Sequence, residues 1–209
     1  MTLTMTATRR QMVQGLALLA LVGCGRPPPP AEAEEVTRLA AAIAALGPGV
    51  DREEATRAAR VSYAHTHALA QQYQITDPPL IHNTKVNMGL KPRGLCWHWA
   101  RDMEHRLKQE EFQTLDLHRA VANADNSFRL EHSTAIISAK GAPYEEGVVL
   151  DPWRKGGRLT WAPVQEDTAY HWEARNEVVA RKLERAHGQI VTLTADQRLL
   201  MGGVEFVPE

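Results

Sequence analysis

The chain has 209 residues and sets 24 Lys and Arg against 25 Asp and Glu. So even a balance lacks the clustered basic face that a nucleic-acid binder needs, and that class is set aside. With 44% hydrophobic residues it has material for one packed core, and its length suits a single globular domain behind a short leader.

The leader comes first. Arg9-Arg10 precedes an apolar run, residues 12–22, which is too short to span a bilayer comfortably and suits the hydrophobic region of a signal peptide. The run closes on Leu21-Val22-Gly23-Cys24. Basic pair, apolar run, small residue and cysteine in this order resemble the bacterial lipoprotein box. That resemblance implies cleavage after residue 23 and lipidation of Cys24. It makes the protein an exported, lipid-anchored component of the bacterial cell envelope, facing the periplasm in a Gram-negative cell. Residues 8–13 are also similar to a twin-arginine export signal. Lipidation of Cys24 leaves Cys96 as the one remaining thiol, so no disulfide is expected. A lone thiol in an oxidising compartment is unusual unless it is buried or chemically employed.

Residues 24–31 contain Pro27-Pro28-Pro29-Pro30, a stiff tether. An N-terminal helical segment, residues 32–75, follows. Its first helix spans about 31–46 and stops at Gly47-Pro48-Gly49. Asp51 is the N-cap of the second, with Glu54 three positions on as in a capping box. That helix runs to about Gln72 with a small-residue face of Ala55, Ala58, Ala59, Ser62, His65 and Leu69. His65 and His67, two apart, point to different helix faces. Adding His82, Cys96 and His98 yields no Cys-x-x-Cys or His-Glu-x-x-His pattern, so neither metal nor cofactor is expected.

Residues 76–94, with Pro78, Pro79, Pro92 and glycines, read as a long loop. Cys96, Trp99, Ala100, Met103 and Leu107 then recur at the spacing of an amphipathic helix, with Arg101, Glu104, His105 and Lys108 on the wet face. Cys96 falls in the first turn, where unpaired backbone N–H groups and the helix dipole favour thiolate over thiol. His98, about 200° around the helix from Cys96, reads as a surface or support residue rather than its base.

Strands follow. Residues 112–121 alternate as one, and Asn123-Ala124-Asp125-Asn126 turns into a second at 128–137 that carries His132. Residues 148–153 form a third, with Asp151 before the stop at Pro152, and 159–161 a fourth. Helices first and short-turned strands after give an α+β layout: N-terminal helices, the Cys96 helix included, packed on a mostly antiparallel sheet. Glu166 to Trp172 is expected to be helical, residues 174–186 more clearly so, and 196–201 a short helix. The charges of the 174–186 helix mark a solvated face, with docking of an assembly partner as the other use of such a pattern.

Gly94-Leu95-Cys96-Trp97 at a helix start, His132 on a strand and Leu150-Asp151-Pro152 on the next resemble the transglutaminase-like superfamily of cysteine enzymes, in the papain-like clan. The resemblance covers roughly residues 80–163, which sets a catalytic core at 76–163 and leaves 164–209 as a C-terminal helical extension. It implies a catalytic triad of Cys96, His132 and Asp151: thiolate attack on an amide carbonyl, proton transfer by His132, and orientation of the imidazole by Asp151. The implied substrate is a peptide or peptidoglycan amide, cleaved or exchanged. Papain-like enzymes place a Gln shortly before the nucleophile as oxyanion donor, and none occurs here. Asn87, Asn83 and His82 are the candidates in its place, Asn87 first. Trp97 and Trp153 flank the nucleophile and the acid and would wall the acyl site, while Trp99 belongs to the core. The alternative is a non-catalytic transglutaminase-like binding or scaffold lipoprotein. Nothing in the sequence sets the oligomeric state.

Overall fold

The computed structural model describes residues 26–191, with side chains through 185. The expected signal segment with its Cys24 anchor and the expected helix at 196–201 lie outside the described residues. Four helices come first: α1 (Ala33–Ala44), α2 (Arg52–Gln72), α3 (Pro79–Asn87) and α4 (Cys96–Lys108). Then follow β1 (Leu115–Ala122), β2 (His132–Ala139), β3 (Val148–Asp151), β4 (Thr160–Pro163), β5 (Trp172–Ala174) and α5 (Arg175–Val191). The protein is α+β, with five helices and one five-stranded sheet among the described residues. The sheet runs β4-β3-β2-β1-β5, every neighbouring pair antiparallel.

Local chemistry explains the first long helix. Asp51 Oδ1 accepts from the N–H groups of Glu53 and Glu54 at 2.9 and 2.8 Å, capping α2. Glu54 does not reach back to close a capping box. Its carboxylate accepts instead from the N–H groups of Gln113 and Thr114, each at 2.8 Å, and from the Thr114 hydroxyl at 2.6 Å. The same hydroxyl accepts from Asp51 N–H at 3.1 Å, so cap and clamp together pin the start of α2 to the entry of β1. The small-residue face of α2 is buried at Ala55, Ala58, Ala59, Ser62 and Leu69, with His65 half-buried beside it.

The sheet divides by strand parity. Ala135, Ile137, Val148 and Leu150 join Leu39, Ile43, Met103 and Leu107 from the helices in the main core. Ile136, Val149, Ala122 and Trp172 form a smaller cluster on the other face. His132 shares the parity of Ile136, and Asp151 that of Val149. Because β2 and β3 are antiparallel, the first residue of one lies near the last of the other.

Several expectations change. The stretch read as one loop, 76–94, contains α3: Pro79 occupies its first turn, where the missing N–H has no intrahelical acceptor anyway, so prolines taken as breakers start a helix. The strand expected from Phe128 begins at His132. Phe128 is fully exposed, and residues 123–131 form a wide turn held by Asn123 Nδ2 donating to Leu130 O at 3.0 Å. Glu166 to Trp172 is no helix. A single 3-10 turn, Val164–Glu166, leads to β5, where Trp172 is buried and pairs opposite Ala122. The sheet therefore continues past residue 163. No helix among the described residues is long and apolar enough to cross a membrane.

Replacing Glu54 by Ala strands three donors at the α2–β1 junction and lowers stability by about 2 kcal/mol, read from the urea midpoint. A loss below about 0.5 kcal/mol contradicts the clamp.

Candidate active site

The loop before α4 is built to present its first residue. Gly94 has φ +128°, and a Cβ there would lie 2.4 Å from His82 Nε2, so neither conformation nor space admits another residue. Buried His82 uses that Nε2–H to donate to Arg93 O at 2.8 Å. The indole of Trp99 donates to Gly94 O at 3.0 Å, and Arg93 and Tyr73 both donate to Asp102 Oδ2, at 2.7 and 2.5 Å. His98 is buried rather than on the surface. Its Nδ1 accepts from the N–H groups of both Gly94 and Leu95 at 3.2 Å, a role open only to the neutral ring. Burial first, and then the positive charge of Arg93, push its pKa down to about 4, so it remains an acceptor at neutral pH. His98 supports the helix start and is no base for Cys96.

Cys96 opens α4 and is 8% exposed, its thiol donating weakly to Glu131 O at 3.7 Å. At the adjoining end of the sheet, His132 Nε2 and Asp151 Oδ2 are 2.7 Å apart, and each residue is 1% exposed. Nε2 is committed to the carboxylate. Nδ1 is buried with no hydrogen-bond partner, and Cys96 is close enough for its sulfur to raise the pKa of this ring. Burial alone would drive the His132 pKa down. The hydrogen bond to Asp151 and the interaction with Cys96 outweigh it and lift the pKa to about 9. The structure thus brings Cys96, His132 and Asp151 together.

Asp151 is held by more than His132. Its Oδ1 accepts from the N–H groups of Trp153 and Arg154, both at 3.1 Å, and its Oδ2 accepts from Arg154 Nε at 2.9 Å. The other end of the Arg154 guanidinium grips Asp167 through two bonds of 3.0 and 2.6 Å, and the Trp172 indole donates to Asp167 at 3.0 Å. Around the imidazole stand Trp153, Tyr170 and Trp172, with ring centroids at 4.7, 4.6 and 5.4 Å. Of these supports, only Trp153 is legible in the sequence. Arg154, Asp167, Tyr170 and Trp172 were missed. The Asp-Pro-Trp-Arg run does carry a signal for Arg154, since an Asp accepts readily from N–H groups two and three residues on.

Two clefts flank these residues, one at Cys96 and one at His132, with Leu130 on the wall of both. One, about 610 Å³, is lined by Cys96, Asn83, Asn87, half-exposed Trp97 and the inner face of α5. The other, about 580 Å³, is lined by His132, Trp153, Tyr170, Pro79, Leu80 and Ile81. Trp153 walls the second cleft and donates its indole N–H to Asn83 Oδ1 at 3.1 Å. Asn83 also lines the cleft beside Cys96, and with its oxygen engaged its amide nitrogen is the group left to donate. Asn87 lines the same cleft, whereas His82 is spent on the loop. Glu131 is not a third member: its side chain pairs with Lys182 of α5. Among the described residues, no group of three His, Cys, Asp or Glu is placed to hold a metal ion. Comparison of the chain with protein-family models, with curated proteins and with solved structures finds no match.

The raised His132 pKa fixes a pH dependence. The charged ring contributes stability that is fully present below its ordinary value near 6.5 and is lost as pH rises through about 9. Nitrogen-15 NMR of the histidine rings should show one imidazolium persisting at pH 8, and Asp151→Asn should bring its titration down by more than about one pH unit. A ring already neutral at pH 7.5 contradicts the assignment. Gly94→Ala should cost about 2 kcal/mol or more in denaturant unfolding, because it combines strain with a clash. Unchanged stability would show that the loop is not locked.

Proposed function

We propose that the protein is a cysteine acyl-transfer enzyme acting on amides, with Cys96 as nucleophile, His132 as acid and base, and Asp151 as the orienting carboxylate. The observation that carries this reading is the buried imidazole held by Asp151 at Nε2, with its remaining nitrogen left for the thiol at the tip of α4. A sulfur at a helix start, an imidazole on one strand and a carboxylate on the neighbouring strand also support a transglutaminase-like fold.

The chemistry follows from who holds which proton. The Cys96 thiolate, its proton already carried by the His132 imidazolium, attacks the amide carbonyl carbon, forming a C–S bond, and negative charge gathers on the carbonyl oxygen. The N–H groups of His98 and Trp99 already bond Leu95 O, which leaves those of Cys96 and Trp97 at the helix start as the backbone donors for that charge. The Asn83 amide, fixed through Trp153, is the second donor in place of the absent Gln. As the tetrahedral carbon collapses, the C–N bond breaks and imidazolium His132 gives its Nδ1 proton to the departing nitrogen. Water or an amine then attacks the thioester, passing its proton to His132, and the C–S bond breaks to return the sulfur. Asp151 and Arg154 hold the ring in one tautomer throughout, without moving a proton themselves.

Export and lipidation at Cys24 would place this activity at the cell envelope, where peptidoglycan stem peptides and protein amides are the accessible substrates. The non-catalytic scaffold reading has no observation of its own in its favour, since a scaffold has no use for an imidazole buried against a carboxylate and a thiol.

Wild type and Cys96→Ala incubated with muropeptides and a labelled amine, read by mass spectrometry, test the reading. Wild type should give released or exchanged product and a thioester mass adduct. Cys96→Ala should lose about 10³-fold or more, and Asn83→Ala about 10²-fold in kcat. Equal product from wild type and Cys96→Ala removes the thiol from any catalytic role.

A further inference from the structure

The cleft against Cys96 is charged on one side only. Arg101 from α4, Arg119 from β1, and Arg175 and Lys182 from α5 all line it, against the single carboxylate of Glu131. Two of these cations are engaged: Lys182 by Glu131, and Arg101 by Asp102 at 3.1 Å. The other two are less fully matched. The Arg119 side chain is 12% exposed, its closest carboxylate is Glu104 at 3.6 Å, and its Nε is buried with no partner. Arg175 makes no ion pair among the described residues, and its charge acts on Arg119 in the same sense as the burial that already disfavours that cation. A guanidinium held largely out of water by one long ion pair, with its Nε unpartnered, beside a second that has no ion pair among the described residues makes this cleft wall a seat for a carboxylate.

The cleft on the His132 side is more apolar. Pro79, Leu80, Ile81, Trp153 and Tyr170 line it, and the guanidinium of Arg154 is taken up by Asp151 and Asp167. Arg129, also at that cleft, donates to Ala169 O at 3.3 Å. The reaction sets which part of a substrate lies where. The departing nitrogen must reach the imidazolium, so the amine portion lies toward His132 and the acyl portion extends along the thiol side.

We propose that the enzyme takes amides whose acyl portion carries a free carboxylate, as in γ-glutamyl or β-aspartyl amides, gripped by Arg119 and Arg175, with an apolar amine portion in the His132 cleft. This rests on the acyl-transfer reading of Cys96 and names the substrate class for it. Arg119 and Arg175 are then specificity residues, set apart from the reacting groups.

The test needs no turnover. Iodoacetate and iodoacetamide alkylate the Cys96 sulfur by the same displacement of iodide, forming an S–C bond, and differ in carrying a carboxylate or a neutral amide. The ratio of their rate constants on the full-length protein therefore reports the field at the thiol, while the iodoacetamide rate controls for thiol reactivity and folding. Arg119→Gln and Arg175→Gln should each lower the iodoacetate-to-iodoacetamide ratio about fivefold, and 0.5 M salt should lower it in wild type. Arg175 is exposed at the start of α5, on the rim of the cleft, so its variant decides the matter even where Arg119→Gln does not fold. Ratios within about twofold of wild type in the folded variants overturn the anion seat. Should that happen while Cys96→Ala still abolishes product, the seat alone falls. Should Cys96→Ala keep full activity while the ratios drop, the seat stands as an anion site and the acyl-transfer assignment falls.

Discussion

A carboxylate that is 1% exposed governs this structure. Asp151 ends β3 in a region of low dielectric, where an unpaired charge would cost several kcal/mol, and four donors converge on its two oxygens. Two of them are the backbone N–H groups that follow Pro152, one is Arg154, and one is His132. Each donor anchors a different part of the fold. The backbone pair shapes the exit from β3, Arg154 carries the network on to Asp167 and the loop before β5, and His132 fixes the start of β2. The imidazole geometry is thus a consequence of satisfying a buried charge, and the aromatic rings of Trp153, Tyr170 and Trp172 close around what that charge has oriented.

The two buried histidines near Cys96 show how surroundings assign roles. His98 faces N–H donors and a nearby arginine, so burial and repulsion hold it neutral, with its pKa at about 4. His132 faces a carboxylate and a thiol, and those interactions lift its pKa to about 9 despite deeper burial. One ring can only accept and brace; the other is kept charged and able to donate. Sequence distance from the thiol would favour the wrong one.

What the sequence reveals is what periodicity and local chemistry encode. The buried stripe of α4 from Cys96 to Leu107, the Asp51 cap and the alternation that places His132 and Asp151 on neighbouring strands are all local signals, and all appear in the structure. Gly94 before Cys96 is legible as a loop residue, but its cause is not, because the clash that requires it involves His82 from α3. That helix was itself hidden, since prolines at 78 and 79 read as breakers where the first of its turns uses one. Arg154, Asp167, Tyr170 and Trp172 act through a long turn without period, and Arg119 matters only because β1 happens to pass between α4 and α5. Contacts of that kind are properties of the assembled fold and leave no pattern along the chain.

The most direct measurement is a crystal structure of the protein reacted with a peptide aldehyde. The account predicts a hemithioacetal bonded to Cys96 Sγ, its oxygen directed at the N–H groups of the first turn of α4 and at the Asn83 amide. His132 should keep Nε2 on Asp151 and bring Nδ1 within about 4 Å of the adduct sulfur. An adduct with the imidazole turned away from the sulfur, or an aldehyde that leaves Cys96 unmodified, would contradict it.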